Sequence, residues 1–272
     1  MTSSAPRPPV RRRAVTAVLA AAALLAGGAP AASAATTPEP RRSASMLTMN
    51  LCLSGVAGCF GRTQYPAVVA EAVARVEEHA PDAVTLTEAC SGDAEDVAAA
   101  TGYDLAFSVV VYGGAPLPCR SPEGRGVFGL AVLTREAQVR VEEAPYAAQS
   151  GAEERRWACA TTVDDLTACV THLSTAGTPA ARAANEAQCG ELADVVAAQG
   201  TRRAVLVAGD VNRLAPCTPP GTWARTDAAA AQAPGIQHVY GTRAALAAGP
   251  AVVLPMTYTD HDGLLVGARR RG

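Results

Sequence analysis

The chain has 272 residues, with 23 basic residues against 25 acidic ones and a formal net charge of −2. Hydrophobic residues make up 49% and charged residues 18%, which excludes an intrinsically disordered chain and allows one large core. Every basic residue is Arg, and the acidic balance excludes a general polycation, though a local cleft can still be positive.

The N-terminal segment reads as a targeting signal. Arg11-Arg12-Arg13 is followed by the apolar run AVTAVLAAAALLAG and the small-residue stretch AASA. We expect a signal peptide over residues 1–34 and a secreted, extracellular product; the arginines leave the export route open. The run is too short for a comfortable span and no second one follows, so no transmembrane segment is expected. Residues 35–45 read as a flexible leader, and residues 46–272 as a single domain expected to be a monomer.

The domain begins with MLTMNLCL, an apolar strand ending near Asn50. In YPAVVAEAVARVEEHA, Val68, Val69, Ala72, Val73 and Val76 recur at helical spacing, and Pro66 suits a first turn. PDAVTLTEAC is a strand entered from a Pro-Asp turn, and DAEDVAAATG a short helix stopped by Gly102. LAFSVVVY and VFGLAVLT are strands flanking a Gly/Pro-rich loop. WACATTV and LTACVTHL form a hairpin across Asp164-Asp165. A long helix follows, with Thr178 as N-cap, Pro179 at its first position and Gly200 as its stop. AVLVAG, GIQHVYGT and GLLVGA are the last strands. Strands and helices alternate, then hairpin-like pairs appear, which predicts an α/β (α+β) layered fold.

All eight cysteines follow the signal, and an even number in an exported chain predicts disulfides. No pair has C-x-x-C spacing, which disfavours a zinc site. The sequence leaves connectivity open; sequential pairing is our expectation, as Cys52–Cys59, Cys90–Cys119, Cys159–Cys169 and Cys189–Cys217.

Polar residues gather at the ends of apolar strands: Asn50, Glu88, His172, Asp210 with Asn212, and Asp260 with His261. In layered α/β proteins, sites form where strand ends meet loops. Any one of these residues alone reads better as a turn or a satisfied core group. Together they supply hard oxygen ligands, amide donors and two proton-transferring rings, with no nucleophilic Ser or Cys nearby. That set suits metal-assisted attack of water on phosphorus. His79 reads as a helix-end cation, and His238 should face away from Gln237 on its strand.

The ordered elements TMN, TLTEAC, GLAVLTR, CVTHLST, VAGDVNR and YTDHDGLLV resemble the endonuclease/exonuclease/phosphatase superfamily, from about Met46 to about Val266. The resemblance implies a four-layer sandwich of two packed mixed β-sheets flanked by helices. It implies that Glu88 binds a divalent cation with Asn50 and Asp260 close by, Mg²⁺ first and Mn²⁺ or Ca²⁺ as alternatives. It implies that Asp210 and Asn212 orient the attacking water and the phosphate, that His172 donates to a phosphate oxygen, and that His261 is an acid/base or phosphate ligand. Arg182 and Gln188, in a recurring helix pattern, read as packing or surface.

Three positions depart from the family pattern: Thr87 where Gln is usual, Leu130 where Asn is common, and Gln237 in place of an Asp that would hold a catalytic histidine. Gln can only hydrogen-bond, so His261 is expected to be a weaker base. The substrate expected is a phosphate ester, with nucleic acid favoured and an extracellular nuclease as the leading reading. Arg120, Arg125, Arg155, Arg156 and Trp223 are the candidates for backbone contact and stacking. The alternatives are a phospholipid or sphingomyelin phosphodiesterase, which would use VVVYGGAPLPC at the bilayer, and a non-catalytic binding module.

Overall fold

The computed structural model describes residues 42–271. The signal peptide expected at residues 1–34, and the leader as far as residue 41, lie outside the described residues. Strand β1 (Ser43–Asn50) is followed by a 3-10 turn at Gly58–Arg62, α1 (Ala67–His79), β2 (Ala83–Cys90), α2 (Ser91–Thr101) and β3 (Asp104–Val109). A short hairpin, β4 (Val111–Tyr112) and β5 (Ala115–Pro116), leads to β6 (Phe128–Thr134), β7 (Gln138–Pro145), β8 (Arg156–Thr162) and β9 (Leu166–His172). Then come α3 (Pro179–Gln199), β10 (Ala204–Asp210), β11 (Thr222–Thr226), β12 (Gln237–Thr242), β13 (Leu246–Leu254) and β14 (Gly263–Arg270).

Two six-stranded sheets pack face to face. One has the order β13-β14-β1-β2-β6-β3, the other β11-β12-β10-β9-β8-β7. Both are mixed, because β1 runs parallel to β2 and β9 parallel to β10 while the other pairs are antiparallel. The inner strands are buried on both faces and read as unbroken apolar runs, as in AVLVAGD. The shared core between the sheets includes Met46, Leu86, Leu130, Ala168 and Leu206. Helix α1 adds Val68, Val69, Ala72 and Val76 to it, and α3 buries Leu192 and Val196 against Val205 and Val207 on the far side of the second sheet. The four-layer α/β sandwich expected from the sequence is the fold observed.

Local signals act where they were read. Thr178 Oγ1 accepts from Ala181 N, Pro179 opens α3, and Gly200 ends it. Gly102 closes α2 in the left-handed conformation, at φ 73°. All four sequential disulfides are present, and Cys159 stands opposite Cys169 on adjacent strands. One boundary of β1 and three strands differ from expectation. β1 begins three residues earlier, because Ser43–Ser45 pair with Gly267–Arg269 of β14, and it ends at Asn50 as expected. β11 and β13 carry no clear apolar alternation, and the alternating valines of β7, Val139 and Val141, face solvent. β7 and β13 are edge strands with largely exposed side chains, and the ladder of β13 is interrupted between Ala248 and Ala251. Among the described residues, no helix is long and apolar enough to cross a membrane.

Candidate active site

The neighbouring inner strands β1 and β2, and β9 and β10, run parallel within their sheets, so their C-terminal ends present side chains together. Asn50 ends β1, His172 ends β9 and Asp210 ends β10. His172 and Asp210 stand opposite each other in the β9–β10 ladder. Gly209 sets that approach: a Cβ there, at φ 149°, would lie 1.9 Å from Thr171 O. Only a residue without a side chain lets β10 come this close to β9.

Glu88 reaches the same point by a different device. The β2–β6 register shifts between Leu86 and Ala89, and Glu88 lies in that irregularity with φ 53°. A bulge re-aims a side chain, and a left-handed non-glycine residue carries local strain that surrounding structure must hold. Asn212 has the same φ, 53°, two residues beyond the end of β10. Thus two of the seven candidate residues occupy disfavoured backbone conformations at one rim of the fold.

The side chains form one connected network. Asn50 Nδ2 donates to Glu88 Oε1 (3.0 Å) and to Asp210 Oδ2 (3.1 Å). Asn50 Oδ1 accepts from Cys52 N, and Asp210 Oδ1 from Asn212 N, so each also closes a turn two residues ahead. His261 Nδ1 lies 2.8 Å from Asp260 Oδ1, and its Nε2 3.4 Å from Asp210 Oδ2. His172 Nε2 is 3.8 Å from Glu88 Oε1. Asn212 Nδ2 donates to Leu173 O at 3.0 Å, tying the end of β10 to the end of β9. All seven residues are therefore brought together. Asp260, however, groups by distance with the Cys52 and Cys59 sulfurs, which are joined to each other, whereas the three groups at metal-ligating separation are Glu88, His172 and Asp210.

The electrostatics separate the two histidines. Burial, reinforced by the Arg155 guanidinium, holds His172 well below the ordinary histidine range. Burial also opposes the charge on His261, but its bonds to Asp210 and Asp260 outweigh that and raise it to about 10. Burial works against ionisation of Asp210 as well, yet the His261 bond keeps its carboxyl below the usual range. Glu88 is the exception: burial raises it to about 7 despite the Asn50 bond. Its Oε2 faces the Cys59 sulfur at 3.6 Å, and a disulfide sulfur has no proton to give. A carboxylate only 15% exposed, with one oxygen lacking a protein donor and ligand atoms of His172 and Asp210 within 4.8 Å, fits a divalent cation.

Arg155 and Glu153 belong to this network, and the strand-end pattern did not single them out as part of it. Arg155 Nη1 lies 2.9 and 2.8 Å from the ring nitrogens of His172 and 2.9 Å from Glu153 Oε1. Arg155 is only 8% exposed. The sequence marked it as a basic contact, but a loop position before a strand does not show which way its side chain turns. Of the other contact candidates, Arg120 alone is exposed. Arg125 is buried against Asp93 and stacked on Tyr65, Arg156 pairs with Glu154 and Ser108, and Trp223 is buried with Nε1 donating to Leu246 O. These three hold the fold.

Gln237 does not hold His261. Its Oε1 accepts from Thr48 Oγ1, and its Nε2 has no partner. The carboxylate that holds the ring is Asp260, the preceding residue, so the substitution at 237 leaves His261 with an orienting carboxylate. His238 points the other way, bonded to Tyr240 OH and Gly235 O. His79 ends α1 as read. Helix α3 braces the site from behind: Asn185 Nδ2 donates to Ser174 O and Val211 O, and Gln188 Oε1 accepts from Ser174 N. Gln188 is thus a buried brace, and Arg182 donates to Ala176 O at the surface.

Comparison with known proteins agrees with this geometry. No curated protein matches the chain in sequence. The fold is similar to the endonuclease/exonuclease/phosphatase from Beutenbergia cavernae DSM 12333, at 21% identity and TM-score 0.64, covering 85% of this chain and 72% of that one. It is similar to the human Nocturnin catalytic domain with bound sulfate anion, at 15% identity and TM-score 0.62, covering 85% and 94%. It is also similar to D. rerio TDP2 complexed with single strand DNA product, at 12% identity and TM-score 0.61, covering 84% and 100%. These likenesses establish the fold. The sequence itself matches the Endonuclease/Exonuclease/phosphatase family over residues 56–261, and the chain belongs to that family, whose members are divalent-metal-dependent phosphoesterases.

Proposed function

We propose that the protein is a secreted, Mg²⁺-dependent phosphodiesterase acting on nucleic acid. The observation that carries this reading is the network joining Asn50, Glu88, Asp210 and His261 at one rim, with a half-buried carboxylate oxygen that no protein N–H or O–H meets. A bound divalent cation supplies Lewis-acid polarisation of a phosphoryl oxygen. Glu88, with Asn50 holding its other oxygen, is the residue to hold it, and Asp210 lies close enough to assist. Asp210, fixed by Asn50 and the Asn212 amide, orients a water and accepts its proton. His261, kept charged by two carboxylates, stabilises negative charge on the phosphoryl oxygens. Neutral His172 donates one hydrogen bond to the same group, with Arg155 behind it.

A lipid substrate is less well supported. The β4–β5 hairpin, which would have to enter a bilayer surface, carries one exposed large hydrophobic residue, Tyr112. The purified protein should nick plasmid DNA with Mg²⁺ and lose that activity in chelator. His172→Ala should lower kcat by about 10²–10³, the usual worth of one transition-state donor. No metal-dependent release from DNA, RNA, sphingomyelin or bis-p-nitrophenyl phosphate would overturn the enzymatic reading. Activity on sphingomyelin alone would transfer it to the lipid class.

A further inference from the structure

A cavity of about 230 Å³ lies beside the site, between the loop after β7, the loop after β9 and the start of α3. Its polar lining is Ser150, Arg155, Ser174, Thr175 and Thr178, and no carboxylate lines it. Arg155 joins the cavity to the catalytic network. One of its amino groups, Nη1, meets both His172 and Glu153; Nε and Nη2 donate to no protein group among the described residues. A guanidinium has five N–H donors in a fixed fork, so a side chain more than nine-tenths buried here keeps unused donors at a cavity wall. The Ser174 hydroxyl adds to them: its Oγ accepts from Ser150 Oγ at 3.3 Å and from Gln188 Nε2 at 3.0 Å, which leaves its own proton to give. The N-terminus of the 21-residue α3 opens onto the same space, and its dipole favours an anion.

We infer that this cavity seats a second phosphate of the substrate, the one next along the chain from the scissile phosphate. The inference rests on the phosphodiesterase reading and names its substrate class as a polyphosphodiester strand. A monoester or a lipid head group with one phosphate has nothing to place there. All the polar groups of the cavity are donors or hydroxyls, so an anion matches them and a cation does not. Arg155 then serves both phosphates: Nη1 fixes His172 at the reacting one, and its free edge meets the neighbour.

The test separates the two phosphates. Thr175 is exposed, outside the catalytic network, and lines the cavity. Thr175→Asp places a negative charge in it, and the pair Ser150→Ala with Thr175→Val removes hydroxyls without charge. With a trinucleotide substrate, Thr175→Asp should raise KM about tenfold with kcat within twofold, the size of one charge-assisted contact. The double variant should raise it severalfold. With bis-p-nitrophenyl phosphate, which has a single phosphate, kcat/KM should stay within twofold for both. An equal loss on both substrates, or no loss on the trinucleotide, would overturn the subsite. If the parent hydrolyses neither substrate, the phosphodiesterase reading fails, and binding decides the subsite separately. Fluorescence anisotropy with a labelled trinucleotide in chelator should then show binding by the parent, weakened about tenfold by Thr175→Asp. Absence of binding by the parent, or equal binding by the variant, would overturn it.

Discussion

The two rims of the sandwich are built from the same strands and solve opposite problems. At the rim where β9 and β10 begin, polar groups sit near solvent and pair off locally. Arg270 meets Asp164 with side chains 18% and 26% exposed, and Arg203 meets Asp165. At the rim where these strands end, Asn50, His172 and Asp210 are 3% exposed or less, in one shared network with an uncompensated carboxylate oxygen. Burying polar groups is costly unless all are satisfied. The first rim avoids that cost, whereas the second incurs it together with two strained backbone positions. The contrast separates charge paired off near solvent from charge gathered into one buried network.

The comparison can be broken first at its centre. Asp210→Asn keeps the shape and removes the proposed proton acceptor; turnover should fall by at least about 10³ while the thermal midpoint stays near the parent's. Unfolding of this variant would show that Asp210 belongs to the fold. The second test lies under the functional rim, at the buried Arg125–Asp93 pair, 2.6 Å apart. Asp93→Ala leaves a buried guanidinium unpaired and should destabilise by about 3–5 kcal/mol in urea titrations.

A third test concerns Asp227, fully buried, whose Oδ2 has no partner and which burial raises to about 6. The folded form binds its proton more tightly than the unfolded one. Its contribution is therefore present below about pH 4 and is lost as pH rises to about 6, by at most about 3 kcal/mol. Asp227→Asn should flatten the stability profile over that interval; an unchanged profile would refute the assignment. The smallest effect belongs to the other rim. Asp164→Ala should change stability by no more than about 1 kcal/mol and leave activity alone.

The sequence carried the site further than it carried the edges of the sheets. Inner strands such as VLVAGD are apolar throughout and end abruptly in polar residues, so their ends could be located and ordered. β7 and β13 are half-solvated edge ribbons: the alternating valines of β7 face solvent and β13 follows no apolar period, so neither reads as a buried strand. Thr178, Pro179, Gly200 and the cysteine pairs were legible because each acts on its immediate neighbours. Arg155 was not, because its role depends on a side chain turning inward onto His172, a contact across 17 residues. Nor did the sequence show that Asp260, rather than residue 237, holds His261. A one-residue separation places acid and base together only when the loop turns them towards each other.

Gly209 carries a final implication. The distance between the β9 and β10 halves of the site is governed at this point by the absence of a single methyl group, since a Cβ would meet Thr171 O at 1.9 Å. Asp210 and His172 follow directly in sequence on either strand. The spacing of the reacting groups is thus set like a shim in a mechanical assembly, by a part chosen for its thinness. Gly209→Ala would part the two strands at their last hydrogen-bonded step and misalign acid and ring without touching either. Alignment there is a property of the backbone, beyond repair by any substitution in the site itself.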